Sequence, residues 1–193
     1  MHSTAISDLA LVIGTLYFTP RLFRTGKADA KIAVIAFCMI AFAAFLGMFF
    51  WQISGFLAPV YRFSSSFAGK VAIPLLALCF LSVSVKRIEQ MPLLALVLVV
   101  LFVMFEYLFA IASYRILIGG LSMLAIIYSG YNWLGKNRNT ALFAIGGAVL
   151  TLLAGLAVGT QGNVGFILRI DLFHYLLALA NASLGYSLWM MMK

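Results

Sequence analysis

Long apolar runs divided by short polar intervals organise this chain. The runs cover Ser3 to Thr19, Ile32 to Gln52, Ala68 to Val85, Met91 to Ala110, Arg115 to Leu134, Ala141 to Thr160 and Gly165 to Met190. Each approaches the roughly 20 residues that an α-helix needs to cross about 30 Å of hydrocarbon. The alternating pattern of a barrel strand is absent. A segment within lipid must satisfy its own backbone, so the runs predict helices. The expected fold is all-α: a polytopic transmembrane bundle of seven helices that forms one domain over residues 1–193. The intervals Arg21 to Lys31, Pro59 to Lys70 with its Ser64-Ser65-Ser66 run, Lys86 to Gln90, Gly135 to Asn139 and Gln161 to Asn163 read as loops. Pro92 follows the third of these, at a helix start, where proline is tolerated.

Composition supports this reading. Of 193 residues, 65% are hydrophobic and 9% charged, whereas a soluble domain carries roughly 25% charged residues. Mean hydropathy is +1.11. Too little polar surface remains for a soluble enzyme, a free nucleic-acid-binding module or a disordered tail. The net charge of +8 is therefore read as topology. Arg21, Arg24, Lys27, Lys31, Lys86, Arg87, Lys136, Arg138 and Lys193 fall on one side of the predicted layout, and Arg62, Lys70, Arg115 and Arg169 on the other. The richer side is retained in the cytoplasm, which places the N-terminus outside and the C-terminus inside. The first run lacks a basic lead-in and a small-residue cleavage site, so it is expected to stay as a span. Trp51, Trp133 and Trp189 lie near helix ends, as an interfacial belt requires. The short loops suit a multi-pass protein of a bacterial inner membrane, with membrane lipids as partners and no role for nucleic acid.

Ionisable groups inside spans cost roughly 2.5–3.5 kcal/mol each at mid-helix on insertion scales and are candidate functional residues for that reason. Asp29 and Glu89 fall in loops. Asp8, Glu106, Arg115, Asp171 and His174 fall in the outer halves of predicted helices, which predicts an outward-facing polar cluster containing several of them. In the last helix Asp171, His174, Ala178, Asn181 and Gly185 share a face about 80° wide. In the first, Thr4, Asp8, Thr15 and Thr19 share one; in the fifth, Arg115, Gly119, Ser122 and Ser129 do. These stripes should face the bundle interior. Asp8, Glu106, Arg115, Asp171, His174 and Asn181 are thus candidates for binding a ligand or a proton. An Asp one turn from a His can orient the imidazole. The structural alternatives are an ion pair between Glu106 and Arg115 and a macrodipole-favoured acid at Asp8.

No metal or other cofactor is assigned. Zinc needs three or four His, Cys, Asp or Glu ligands, and only His174 lies within a run; His2 would have to join His174, Asp8 and Asp171. Cys38 and Cys79 read as small apolar residues. Gly155 with Gly159, and Gly119-Gly120, Gly130 and Gly146-Gly147, are expected to let helices approach closely. Phosphate-loop, dinucleotide, nucleophile-elbow and HExxH motifs are absent.

Thr4-Ala5-Ile6-Ser7-Asp8, Glu106-Tyr107 and the run Asp171 to Ala180, with His174 inside it, resemble an uncharacterised family of small seven-helix membrane proteins. In layout the chain is distantly similar to the alkaline ceramidase and progestin/adipoQ receptor superfamily. That resemblance implies a scaffold used by zinc-dependent amide hydrolases with one His on helix two and two on helix seven. Here the run Ala44 to Trp51 contains no His, and the position four residues beyond His174 is Ala178. The three-histidine site cannot be built, so the resemblance lends a scaffold and no activity. Three functions follow as expectations. The first is binding of a small-molecule or lipid ligand in an outward-facing polar pocket. The second is a membrane-embedded hydrolase of lipid amides or esters, and the third a proton-coupled transporter. The residues alone specify neither the ligand nor the oligomeric state.

Overall fold

The computed structural model describes residues 3–50, 57–85, 91–108 and 114–193. These residues form an all-α bundle. α1 (Ser3–Leu16) pauses at Tyr17 and Phe18, and the short α2 (Thr19–Phe23) continues it with Pro20 in its first turn. α3 is Ala28–Phe50. α4 (Ala58–Phe67) passes through a π-helical turn, Ala68–Ala72, into α5 (Ile73–Ser84). α6 (Met91–Val103) ends in a second π turn, Met104–Leu108. α7 (Tyr114–Trp133) and α8 (Arg138–Leu152) follow, and α8 ends in a third π turn, Leu153–Val158. A hairpin of β1 (Asn163–Val164) and β2 (Ile167–Leu168) leads into α9 (Arg169–Met192).

Ser3–Phe23, Ala28–Phe49, Ala58–Ser84, Ile116–Trp133 and Arg138–Val158 are each long and apolar enough to cross a membrane. The chain has the fold of a membrane protein. Pro92–Tyr107 is apolar but shorter. α9 has 24 residues, about 36 Å of helix, and its buried polar stripe makes it less apolar than those five.

Several expected boundaries move for physical reasons. The interval Pro59 to Lys70 is helical, not a loop. Pro59 sits in the first turn, where a missing N–H costs nothing, and Ser64 and Lys70 are buried. α3 begins at Ala28, four residues before the second apolar run. Asp29 in its first turn accepts a hydrogen bond from Ser82 Oγ at 2.9 Å. α8 begins at Arg138, because the Asn137 side chain accepts from the Thr140 amide at 3.1 Å and caps the helix. The last helix starts at Arg169 rather than Gly165. Gly165, with φ of +60°, supplies the left-handed residue of the two-residue hairpin turn, and Phe166 beside it is fully exposed. The expected third loop, Lys86 to Gln90, lies outside the described residues, as does Trp51.

Small residues set the packing. α9 lies against α1 and α8, α1 against α3, and α7 against α5 and α8. Buried faces are rich in alanine: Ala30, Ala33 and Ala36 on α3, and Ala141, Ala144 and Ala148 on α8. Between helices in lipid no hydrophobic drive operates, so close backbone approach supplies the attraction. Gly14 is the tightest case: an added Cβ would lie 2.6 Å from the Ala178 carbonyl oxygen. At the end of the bundle where α2, α7 and α9 finish, cations cover aromatic rings. Arg21 lies over Tyr17, Phe18 and Trp189, Lys193 over Trp189 and Lys136 over Trp133. Lys27 caps the last helix by donating to the Met192 carbonyl.

This packing predicts opposite outcomes for two glycine-to-alanine changes. Gly14→Ala forces α1 away from α9 and should cost about 1–3 kcal/mol. Gly146→Ala meets nothing within 4 Å and should be neutral or slightly stabilising. Thermal unfolding of the detergent-purified variants measures both; equal melting temperatures would show that the α1–α9 seam is not tight.

Candidate functional site

The α1–α9 seam carries the polar cluster. Close contact at Gly14 and Ala178 holds the preceding turns of the two helices together. That brings Ser7 and Asp8 of α1 against Asp171 and His174 of α9, all buried. Ser7 Oγ donates its single proton towards the Thr4 carbonyl at 2.9 Å and the Asp171 Oδ1 at 3.0 Å. His174 Nδ1 lies 3.1 Å from Asp8 Oδ1 and 3.2 Å from Ser7 Oγ. With these two acceptors around Nδ1, the ring proton belongs there, and in a neutral imidazole Nε2 then holds the lone pair. Among the described residues Nε2 has no hydrogen-bond partner.

Asp8 is 1% exposed, so its carboxylate has left water. One oxygen bonds to the imidazole; the other, Oδ2, has no partner among the described residues. Buried polar atoms are nearly always paired, which makes this orphan a departure that needs a cause. Gly47 of α3 makes the placement sterically allowed, because a Cβ there would sit 2.7 Å from Oδ2.

Asp8 and His174 also line a cavity of about 690 Å³. α7 lines it with Ile116, Gly119, Gly120 and Met123, and α9 with Ile170, Phe173, His174 and Leu177. Both sets repeat at i, i+3, i+4 and i+7, one helical face each. The lining comes from the starts of α1, α4, α7 and α9 and from the later parts of α3 and α8, so the cavity belongs to one end of the bundle.

Glycine creates much of this space. Gly69, Gly119, Gly120, Gly155 and Gly159 line the cavity, and a Cβ added to any of them meets nothing within 4 Å. This corrects the expectation that Gly119-Gly120 and Gly155 with Gly159 bring helices together. Gly146 likewise faces open space, whereas Gly130 and Gly147 do make close contacts, to Ile145 and Leu184.

The sequence candidates divide into three groups. Asp8, Asp171 and His174 converge as expected. Asn181 is buried on the predicted face, but it sits deeper in the seam, donates to Thr15 Oγ1 at 2.9 Å and does not line the cavity. Glu106 lies apart from the cluster: it pairs with Lys70 and accepts from Ser66 Oγ at 2.8 Å. Lys70 and Glu106 occupy the first two π turns, so their contact ties α4–α5 to α6. The expected Arg115 partner falls on a side chain outside the described residues. Ser7, Ser66 and Lys70 were not singled out by sequence. Ser7 had a signal, since it directly precedes Asp8 and a buried helical serine needs an acceptor.

Among the described residues no group of three or more His, Cys, Asp or Glu side chains is arranged to hold a metal ion. His2, the fourth donor considered for zinc, lies outside the described residues, and Asp8, Asp171 and His174 alone do not form such a group. What the arrangement offers is an oriented imidazole, two carboxylates and an apolar chamber beside them. Comparison with family models, curated proteins and solved structures finds no match to this chain.

The cluster predicts a specific dependence on Ser7. Ser7→Ala removes the hydroxyl between Asp171 and His174 and should cost about 1–3 kcal/mol, the penalty for a buried acceptor losing its donor. Ser183→Ala, which removes only a bond to its own helix at Leu179, should change the melting temperature little. Equal, small shifts in the two variants would mean that the cluster contributes nothing to stability.

Proposed function

We propose that this chain is a multi-pass membrane protein that binds a small or lipidic amphiphile in the cavity beside Asp8 and His174. It crosses the membrane seven times, with its N-terminus outside and its C-terminus in the cytoplasm. The cavity then opens towards the outer leaflet, and a bacterial inner membrane suits its short loops. One observation carries the reading: a chamber of about 690 Å³ with glycine-bared, largely apolar walls and an acid–imidazole pair on one side. That volume lies within the roughly 300–1,000 Å³ of small-molecule sites, which are likewise mostly apolar with a few convergent polar groups. Asn181 donates to Thr15, Ser129 bonds its own helix at Ala125, and none of the three lines the cavity, so among the described residues no polar route favours the transporter alternative.

A hydrolytic reading keeps one observation in its favour. With its Nδ1 proton directed at Asp8, His174 has Nε2 available as a base towards a water in the chamber. Ser7 is not a nucleophile in this arrangement. Its hydroxyl is committed to Asp171 and the Thr4 carbonyl, and it shares Nδ1 with Asp8 instead of meeting the opposite ring nitrogen.

A photoreactive dodecanol with a diazirine in its tail tests the binding reading. In nanodiscs it should label α7 and α9 saturably, and unlabelled dodecanol should suppress the labelling. Gly120→Trp, which projects into open space, should lower labelling at least tenfold without lowering the melting temperature. Labelling that never saturates, or that Gly120→Trp leaves unchanged, would overturn the reading.

A further inference from the structure

We infer that the cavity selects amphiphiles with a protonated amine head and a single aliphatic tail, an assignment that rests on the binding reading above. The charge pattern of the walls leads to it. The chain carries 13 Lys and Arg against 5 Asp and Glu, yet no Lys or Arg is among the described residues that line the cavity. Asp8 is among them, and Asp171 stands behind His174 in the same cluster. Arg169, two residues from Asp171, is exposed and does not line the cavity, and Lys70 is engaged with Glu106. The cluster therefore sets two acids against one imidazole.

Hydrogen-bonding capacity points the same way. With the ring proton on Nδ1, a neutral His174 offers Nε2 as an acceptor beside Asp8 in the cavity wall. An ammonium group supplies three donors and one positive charge. A phosphate or carboxylate head is anionic, and in this chamber it would meet a carboxyl group with no cation among the described lining residues to offset it. In a low-dielectric site such mismatches are weakly screened. The tail is accommodated by Gly69, Gly119, Gly120 and Gly155, whose missing side chains leave a bare trough between Phe173 and Leu177 and the opposite wall. A chamber of this volume suits one chain and a compact head rather than a two-chain phospholipid.

Competition against the dodecanol probe at pH 7, in nanodiscs of zwitterionic lipid, tests the assignment with dodecylamine, dodecanol, dodecanoate and dodecyl phosphate. Dodecylamine should displace the probe at least tenfold more tightly than dodecanol, and both anions should be weaker than dodecanol. Asp8→Asn should remove the amine preference, bringing dodecylamine and dodecanol within about threefold of one another. The wild-type order stands as a test if that variant fails to fold. Equal displacement by all four, or tighter displacement by an anion, overturns the head-group assignment and leaves the cavity reading intact. If no amphiphile displaces the probe and the labelling is unsaturable, the cavity reading falls and this assignment falls with it.

Discussion

The close approach of α1 and α9 is the constraint on which the rest of the structure depends. Hydrocarbon offers no hydrogen bonds, so a carboxylate that enters it must bring its partners along. Asp8 and Asp171 find theirs only because Gly14 lets its helix rest on the Ala178 carbonyl, two turns from where Ser7 and His174 meet. A side chain at position 14 would separate the two helices and leave both acids without the serine and the imidazole. Gly47 plays the matching part on α3 by giving the Asp8 carboxylate a bare Cα to lie against.

Glycine thus has two opposed uses in this bundle. At Gly14, Gly47, Gly130 and Gly147 its missing side chain is replaced at once by a neighbour, and the helices gain contact. At Gly69, Gly119, Gly120 and Gly155 no neighbour moves in, and the space remains. An unfilled chamber forfeits dispersion contacts on its walls, and glycine within a helix costs roughly 0.5–1 kcal/mol relative to alanine. Alanine at these positions would lower the second cost without a clash. Glycine at these positions, where alanine would fit, is what leaves the walls of the chamber bare.

Much of this architecture was legible in the sequence, for a physical reason. The apolar runs marked the helices because their hydropathy differs so strongly from that of the intervals. The stripes marked inward faces: Thr4, Asp8, Thr15 and Thr19 on the first helix are all buried, as are Asp171, His174, Ala178, Asn181 and Gly185 on the last. Pairing was not legible. Helical spacing says which residues share a face and nothing about which face of another helix they meet. Glu106 therefore stood with Asp8 on paper, although the bundle gives it to Lys70. Lys70 itself read as a loop cation, because serines and a lysine resemble a loop when their burial against α6 is unseen. The role of the glycines was illegible for the same reason: contact and void differ only in what lies opposite.

Charge segregation joins the orientation of the bundle to the chemistry of its cavity. Arg21, Lys136 and Lys193 sit on aromatic rings where α2, α7 and α9 finish. The cavity lies where α1, α7 and α9 begin. The cations of the first cluster thus lie at the opposite end of the bundle from the acids. From there they make no hydrogen bond or ion pair with Asp8 or Asp171. Compensation must come from nearer at hand. Among the described residues the imidazole is the nearest titratable partner, and Oδ2 of Asp8 is still left without a donor. Among the described residues the site presents two carboxylates, one imidazole and no cation, and a positively charged, hydrogen-bond-donating head is the occupant that complements it.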